Sequence, residues 1–310
     1  MRFTVLSAAT LLLAATTALA APQRPKITGV SHLAVYASDP AATGEYFTNV
    51  IGAEKVSDPE APQGVRYMIN STQFVEVLPL PSGEGINRLA HVGYKTDNAE
   101  AMRAYLAAKG YKTPAKVMHG ADGSSWFAVR DPEGNEVQFV QPPAHPAAVH
   151  APKLIGHHII HVGYMVHNRA KEDTFYRGLL DFRPYWYGGM KEDHVDWVSQ
   201  QTPESRDWIE YMMTGQPTDI GITPDITQAH LGVIDHVAIG AVSVDKVFQT
   251  LKAEDRLVGR HDDAPKMGRD GKMQLNLYAP DDTRIEMMNF KATEKPCCSP
   301  FTAPDPNPAE

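Results

Sequence analysis

The sequence has few cysteines and no cluster of basic residues. Its two cysteines, Cys297 and Cys298, are adjacent near the C-terminus, which is too few for a disulfide framework or a cysteine-rich zinc module. They could form a vicinal disulfide, bridge two chains or stay free thiols, and the flanking residues favour none of these. The 29 Lys and Arg residues are fewer than the 37 Asp and Glu residues and form no run. We therefore expect no nucleic-acid partner, because such a partner is bound by a basic stripe.

Only the N-terminus carries a long uncharged stretch. Arg2 precedes residues 3–23, which are uncharged and contain an Ala-Leu-Ala cleavage pattern that ends at Ala20. A positive start, a short apolar stretch and small residues at the exit are typical of a secretory signal peptide. A retained membrane anchor is the alternative, but the many Ala, Ser and Thr residues would make it a weak one. We predict a signal peptide at residues 1–20, a secreted or periplasmic protein, and no stable membrane anchor after cleavage.

Histidine is comparatively frequent, with 13 residues, and four histidines open similar apolar segments. A His-Val-Gly-Tyr segment begins at both His91 and His161, and looser copies begin at His32 and His236. The intervals between successive histidines are 59, 70 and 75 residues. Each segment precedes a helical pattern, clearest over residues 99–110, and then strand-like runs separated by turn residues. The pattern predicts four copies of one strand–helix–three-strand unit.

The last strand of each unit carries one polar side chain among apolar ones: Glu76, Gln138, Glu210 and Glu286. The interval from the opening histidine to this residue is 44 or 47 residues in the first half of the chain, and 49 or 50 in the second. A single histidine or acid in such a place is usually structural, since buried acids need a partner. Matching intervals in all four units instead predict equivalent places in the fold.

Four βαβββ units that each open on His-[Leu/Val]-[Ala/Gly] and close on an apolar strand with Glu or Gln resemble the vicinal oxygen chelate superfamily. That superfamily includes glyoxalase I, bleomycin and fosfomycin resistance proteins, methylmalonyl-CoA epimerase and type I extradiol dioxygenases. The Asp-Pro-Glu-Gly-Asn turn at residues 131–135, before the closing strand of the second unit, strengthens the resemblance. It implies an α+β fold in which the four modules pair into two incomplete mixed-sheet barrels.

The resemblance covers most of the chain and implies two domains. The first spans residues 27–142 and the second, with the better metal site, spans residues 154–291. Residues 143–153 form the linker between them. Residues 292–310 are a Pro-rich tail without a periodic pattern, which we expect to be loose.

In this superfamily the first and last strands of paired units direct their side chains into one cavity. Carried over to this chain, the resemblance implies metal ligands in the second domain at His161, Glu210, His236 and Glu286. Either Glu210 or Glu286 would then be the catalytic base. Imidazole and carboxylate ligands suit a divalent transition metal such as Fe, Zn, Mn, Ni or Co.

The first domain supplies a weaker set of candidate ligands: His32, Glu76, His91 and Gln138. It is weaker because an uncharged amide replaces one carboxylate. Glu136, two residues before Gln138, faces the same side of its strand but lies one side-chain row away. We expect this half of the chain to be structural if it binds no metal.

Three activities are compatible with these residues. The sequence does not determine the substrate, the metal or the oligomeric state, which could be a homo-oligomer. The two histidines and two glutamates favour glyoxalase-like isomerase, epimerase or lyase chemistry on a small oxygenated substrate. Fe(II)-dependent extradiol ring cleavage is the alternative. The signature of those enzymes places a histidine several residues before a tyrosine such as Tyr278. The sequence has no histidine between residues 262 and 291. A non-catalytic drug-binding or resistance protein is the third reading, although such proteins usually lack the metal-ligand set.

Overall fold

Two eight-stranded mixed sheets form the framework of the structure, a computed structural model that describes residues 23–82, 88–214 and 235–308. The signal peptide predicted at residues 1–20 lies outside the described residues. The first sheet contains β1 (Ile27–Ala37), β2 (Glu54–Ser57), β3 (Val65–Asn70), β4 (Gln73–Pro79), β5 (Leu89–Thr96), β6 (Met118–His119), β7 (Ser125–Arg130) and β8 (Glu136–Gln141). The second contains β9 (Ile159–Val166), β10 (Arg183–Gly188), β11 (Trp197–Gln201), β12 (Trp208–Met213), β13 (His236–Ala241), β14 (Lys266–Met267), β15 (Met273–Tyr278) and β16 (Arg284–Asn289).

Each sheet consists of two βαβββ modules side by side. The strand order is β2-β3-β4-β1-β5-β8-β7-β6 in the first sheet and β10-β11-β12-β9-β13-β16-β15-β14 in the second. The opening strands of the two modules, β1 with β5 and β9 with β13, pair antiparallel at the centre. Each opening strand also pairs in parallel with the closing strand of its own module. The α+β fold with four such modules, predicted from the sequence, is confirmed.

The helix of each module begins directly after the opening strand. The described helices are α1 (Pro40–Tyr46), continued by a π-helical turn (Phe47–Ile51), α2 (Ala99–Ala108), α3 (Arg169–Tyr176) and α4 (Val244–Ala253). Their N-cap side chains, which accept hydrogen bonds from backbone N–H groups of the first turn, are Asp39, Asn98, Asn168 and Ser243. Each cap satisfies N–H groups that the helix itself leaves unpaired, so it sets the starting residue. None of the helices in the described ranges is long and apolar enough to cross a membrane.

One hydrophobic core joins the two halves of the chain. The ring of Tyr94, in the first sheet, lies 6.3 Å from that of Tyr176 and 5.2 Å from that of Phe182, both in the second half. The buried cluster that contains these three rings also contains residues of all four modules. Because this apolar surface is shared, its burial stabilises the association of the two sheets as well as each sheet.

A turn from each half of the chain also binds the start of a helix in the other half. The Glu133 carboxylate, in the turn before β8, accepts hydrogen bonds from the backbone N–H groups of His167 (2.9 Å) and Asn168. The Asp281 carboxylate, in the turn before β16, accepts from the N–H (2.7 Å) and hydroxyl (2.6 Å) of Ser38. These contacts are equivalent, since each acid binds the residue before a helix N-cap, where a negative charge is favoured.

Two carboxyl groups, those of Glu172 and Asp131, interact beside the contact that Glu133 makes. Glu172 of α3 is fully buried, and its Oε1 accepts a hydrogen bond from the backbone N–H of Glu133 (3.0 Å). Burial and the negative charge of Asp131 raise the pKa of Glu172 to about 9. The native state therefore binds a proton here more tightly than the unfolded chain does.

We predict that this pair makes stability fall as the pH rises. A carboxyl group whose pKa is raised by folding loses stabilisation progressively between its unfolded pKa, 4.5, and its folded value, about 9. Glu172→Gln keeps the accepting oxygen and removes the charge, so it should flatten this slope and raise the free energy of unfolding by about 1–2 kcal/mol at pH ~9. Urea denaturation at acidic, neutral and alkaline pH measures both. A variant with the parental slope would contradict the assignment.

The C-terminal tail is packed against the second sheet, contrary to the expectation of a loose segment. The backbone N–H of Thr302 donates to the carbonyl of Tyr185 (2.9 Å). The Asp305 carboxylate lies 2.9 Å from the ammonium of Lys272, which is fully buried. The ring of Phe301 lies 4.9 Å from that of Tyr185. Hydrophobic periodicity could not predict this attachment, because single side chains and backbone groups make it.

The two cysteines form a disulfide with each other, which is one of the three states compatible with the sequence. The backbone N–H of Cys297 donates to the carbonyl of Arg269 (2.8 Å), and the guanidinium of Arg269 donates to the sulfur of Cys297 (2.8 Å). The disulfide is therefore part of the attachment of the tail to the segment between β14 and β15.

Candidate metal centres

Strand register brings an opening histidine and a closing acid to the same small residue. In the second sheet, Gly163 of β9 pairs with His236 of β13 on one side and with Glu210 of β12 on the other. A Cβ atom on Gly163 would lie only 2.0 Å from Cε1 of His236. The glycine of the His-Val-Gly-Tyr segment is therefore required because the imidazole of the neighbouring strand occupies the space above it.

The same arrangement occurs three more times. Ala238 of β13 pairs with His161 on one side and with Glu286 on the other. The first sheet repeats both arrangements, with His32 and Gln138 beside Gly93, and His91 and Glu76 beside Ala34. A small third residue in each His-[Leu/Val]-[Ala/Gly] segment thus accompanies two polar side chains on the flanking strands.

The four polar side chains of the second sheet converge, and together they are called the second-domain site: His161, Glu210, His236 and Glu286. The Nε2 atoms of the two histidines are 2.9 Å apart. Glu286 Oε2 lies 3.5 Å from Nε2 of His161 and 3.6 Å from Nε2 of His236. Glu210 Oε2 lies 3.9 and 3.4 Å from the same two atoms. Ligand atoms of His161, Glu210 and His236 all lie within 4.8 Å of one another.

The electrostatics of the second-domain site favour the protonation states that bind metals. Although burial opposes it, the hydrogen bond with His161 and the positive charge of Arg284 lower the pKa of Glu286 to about 2. Contacts with His236 and His161 likewise lower the pKa of Glu210 against the effect of burial. Burial lowers the pKa of His236. At neutral pH the site therefore presents two carboxylates and a neutral imidazole at His236.

This donor set fits a divalent transition metal, as predicted. Imidazole nitrogen and carboxylate oxygen are ordinary ligands for such ions, and two carboxylates balance the charge of a divalent cation. Neutral histidine and ionised glutamate are the forms that coordinate. The four donors lie on the four central strands of the sheet, β12, β9, β13 and β16.

An aromatic ring supports one histidine of each sheet. Trp208 stacks on His161 with 4.5 Å between the ring centroids, and Phe74 stacks on His32 at the same distance. Sequence reasoning placed neither ring next to a ligand histidine. Both lie two residues before the closing glutamate of their module, hence on the same face of the strand. That shared spacing is a signal that could have identified them.

The polar residues of the first sheet form a similar group, called the first-domain site: His32, Glu76, His91 and Gln138. Ligand atoms of its two histidines and its glutamate lie within 4.8 Å of one another, with 3.1 Å between Nε2 of His91 and Oε2 of Glu76. Neither of these atoms has a hydrogen-bond partner in the described structure, and nor does Nε2 of His32. Buried polar atoms that converge without bonding to each other fit a shared cation.

The first-domain site differs from the second in charge and access. Burial, with the hydrogen bond and charge of Asp58, raises the pKa of Glu76 to about 9. A cavity of about 470 Å³ is lined by Glu76, His91 and Gln138 together with surface residues. Glu136 lines the same cavity but forms an ion pair with Arg130 (3.2 Å). Gln138 is the β8 residue that pairs with Gly93, the residue that also pairs with His32.

The fold and part of the sequence match known proteins. Residues 29–139 match the family model described as the Glyoxalase/Bleomycin resistance protein/Dioxygenase superfamily. The structure is similar to that of the Mn(II)-bound glyoxalase from Novosphingobium aromaticivorans, with 16% identity over 89% of this chain and 86% of that chain and a TM-score of 0.64. No curated protein matches the sequence.

Two dioxygenases are also similar in structure. One is the 2,3-dioxygenase LapB from Pseudomonas sp. KL28, with 13% identity over 86% of this chain and 93% of that chain and a TM-score of 0.63. The other is homoprotocatechuate 2,3-dioxygenase from Brevibacterium fuscum in complex with 3,4-dihydroxyphenylacetate, with 16% identity over 92% and 86% and a TM-score of 0.61. At these identities the likeness shows a shared fold, and activity has to be argued from the site.

Proposed function

We propose that this chain is a tandem two-domain member of the glyoxalase/bleomycin resistance protein/dioxygenase superfamily, whose model matches residues 29–139, and that it is a metal-dependent enzyme with glyoxalase-like chemistry. The reaction class is isomerisation, epimerisation or lyase cleavage of a small oxygenated substrate. The observation that carries the proposal is the presence of two carboxylates, Glu210 and Glu286, beside the same two imidazoles. One can stay a ligand while the other takes a proton from the substrate.

In this proposal, His161, His236 and Glu286 hold the metal in the second-domain site. The metal would polarise a substrate oxygen and so stabilise the negative charge that develops when a neighbouring C–H bond is broken. Glu286 suits the role of permanent ligand, because Arg284 and His161 keep it ionised and its side chain is only 5% exposed.

Glu210 is proposed as the general base. Its side chain is 12% exposed, more than that of Glu286. The hydroxyl of Ser199 donates to Oε1 (3.4 Å), while Oε2 faces the histidines. This bond orients the carboxylate so that Oε2 can accept a proton from the substrate and return it to a neighbouring carbon or oxygen.

Glu210→Gln tests the assignment of the base. We expect the variant to lower the rate of proton transfer by at least about 100-fold, since a general base contributes factors of this size. It should still bind metal through the remaining three ligands, with reduced affinity. Deuterium uptake from D₂O at carbons next to a carbonyl, followed by NMR over a panel of small 2-oxo and 2-hydroxycarbonyl compounds, measures the rate.

The matched control for the base is Ser199→Ala, which removes only the hydrogen bond to Oε1. It should reduce the rate much less than Glu210→Gln and leave the metal content unchanged. Full exchange activity in Glu210→Gln would instead show that another group is the base.

Extradiol ring cleavage is a second candidate, favoured by the structural likeness to two 2,3-dioxygenases. His161, His236 and Glu286 would form a two-histidine, one-carboxylate face for Fe(II). Glu210 as a fourth donor argues against it, as does Asn276, which pairs with Glu286 in the neighbouring strand, where no histidine lies nearby in sequence. Oxygen uptake by the Fe(II)-loaded protein with catechols would establish this reaction, and its absence would leave the first proposal.

Export is part of the proposal and rests on the N-terminal residues alone. A positive residue, an uncharged stretch and an Ala-Leu-Ala exit support cleavage after Ala20 and a secreted or periplasmic mature protein. N-terminal sequencing of protein recovered from a secretion-competent host tests it. A mature chain that begins at Ala21 is expected, and an intact Met1 in the cytoplasm would contradict it.

A further inference from the structure

We propose that Glu60 is a positioning residue that makes the amide oxygen of Gln138 the fourth donor of the first-domain site. Glu60 lies in the segment between β2 and β3, and its side chain is only 8% exposed. The Nε2 group of Gln138 donates a hydrogen bond to Oε2 of Glu60 (3.1 Å). This bond uses the amide nitrogen and turns the opposite side of the amide group away from Glu60.

The amide oxygen of Gln138 is left available by this arrangement. Oε1 of Gln138 is buried and has no hydrogen-bond partner among the described residues. The same is true of Nε2 of His32, Nε2 of His91 and Oε2 of Glu76. An unpaired buried acceptor costs free energy, so four such atoms in one group are expected to share a ligand, and a cation satisfies all four.

The orientation of the amide follows from the partners of Glu60. The guanidinium of Arg66 donates to Oε1 of Glu60 (2.7 Å), so Oε2 is the oxygen left to accept from Gln138. Because the NH₂ group of Gln138 is the donor in that bond, its carbonyl oxygen lies on the side of the amide group away from Glu60. That oxygen is buried without a partner, on a side chain whose residue shares Gly93 as its strand neighbour with His32.

Arg66 is itself held in place, which makes the arrangement rigid. Its Nε lies 3.0 Å from Oδ1 of Asp58, and its guanidinium lies over the ring of Phe74 at 4.2 Å. Phe74 in turn stacks on His32. The chain of contacts therefore runs from one donor of the site, through Arg66 and Glu60, to another donor, and outer contacts of this kind orient metal ligands.

The result is a site that differs in charge from the second-domain site. It has one carboxylate donor instead of two, so a bound divalent ion would keep one more positive charge. Glu60 supplies negative charge behind the amide without reaching the metal. Gln138 has no charge where the second-domain site has a carboxylate, and for that reason the sequence predicted a weaker site here. The Glu60 carboxylate, behind Gln138, restores part of that negative charge.

Metal titration of a chain whose second-domain site has been removed by His236→Ala tests the inference independently of the proposed activity. Binding of Mn²⁺ and of Zn²⁺ is measured by calorimetry at about pH 8. In this background Glu60→Gln is expected to weaken binding by about 10- to 100-fold. The introduced amide would give its oxygen to Arg66 and its NH₂ group to Gln138, so Gln138 would turn its own NH₂ group toward the metal.

Two further variants separate positioning from a general structural effect. If Glu60 acts through Gln138, Glu60→Gln combined with Gln138→Leu should bind no more weakly than Gln138→Leu alone. Glu60→Gln combined with Gln138→Glu should recover at least the parental affinity, because the amide at position 60 can then donate to the new carboxylate. This exchange also keeps the test valid if Glu60→Gln alone folds poorly.

Glu136→Gln is the matched control, since Glu136 lies on the same strand and lines the same cavity but pairs with Arg130. It should weaken the affinity far less than Glu60→Gln does, because Glu136 acts on Glu76 and His91 only through its charge. The inference is overturned if Glu60→Gln binds within about twofold of the background, if its effect adds to that of Gln138→Leu, or if the His236→Ala chain binds no metal. None of these outcomes bears on the second-domain site or on its proposed chemistry.

Discussion

Glu286→Ala is expected to lower the affinity of the second-domain site for Mn²⁺ or Zn²⁺ by at least about 100-fold, since an ionised ligand is lost. Glu286 lies within 3.6 Å of both imidazole Nε2 atoms, and its low pKa means that it coordinates without first losing a proton. Its removal leaves Glu210 as the only carboxylate on the two histidines. Metal content by elemental analysis, and affinity by calorimetry in a Glu76→Ala background, measure the loss.

The control for this prediction is the reciprocal change. Glu76→Ala alone should impair the first-domain site and leave the affinity of the second unchanged, because the two groups lie in different sheets. A purified protein that contains no metal and is unchanged by Glu286→Ala would exclude both enzymatic hypotheses. It would favour the third reading from the sequence, a binding or resistance protein that does not use a metal.

Gly163→Ala is expected to be strongly disruptive although it removes no polar group. The added Cβ would lie 2.0 Å from Cε1, 2.5 Å from Nδ1 and 2.7 Å from Nε2 of His236, and no contact of that length is tolerated. Either the imidazole leaves the site or the central strands separate. We expect a loss of about 1–3 kcal/mol in the free energy of unfolding and at least tenfold weaker metal binding at the second-domain site.

Thermal or urea denaturation and metal calorimetry together measure the effect of Gly163→Ala. Gly93→Ala is a matched control, because its Cβ would lie 2.2 Å from Cε1 of His32 in the first sheet. It should cost similar stability but leave the metal affinity of the second-domain site intact. If Gly163→Ala binds metal as the parent does, His236 is not held above this glycine as described.

The candidate site could be predicted from the sequence to an unusual extent, because its residues recur. A single His161 or Glu210 carries little information, since either could be an ordinary core or strand residue. The near-equal intervals in four units placed them on opening and closing strands, and parallel pairing of those strands brings equal offsets together. The α+β fold follows from the same repeat, as the confirmed module order shows.

The residues around the ligands could not be predicted in the same way. Glu60 lies in an irregular segment between two strands, and nothing in its neighbourhood in the sequence relates it to Gln138, 78 residues later. The attachment of the C-terminal tail depends on Lys272 and Asp305, each unremarkable in sequence, which meet as a partly buried ion pair. Such contacts follow no period, so only the folded chain brings them together.

By itself, the sequence determined the repeated module, the four histidines with their closing partners, and the small residue between them. These features are local or periodic, and the hydrogen-bond register of a sheet converts equal intervals into equivalent positions. Only the tertiary structure decided how the two sheets share a core, what orients Gln138 and where the tail lies. Those outcomes depend on side chains far apart in the chain, whose contacts are fixed by shape and charge once the sheets have packed.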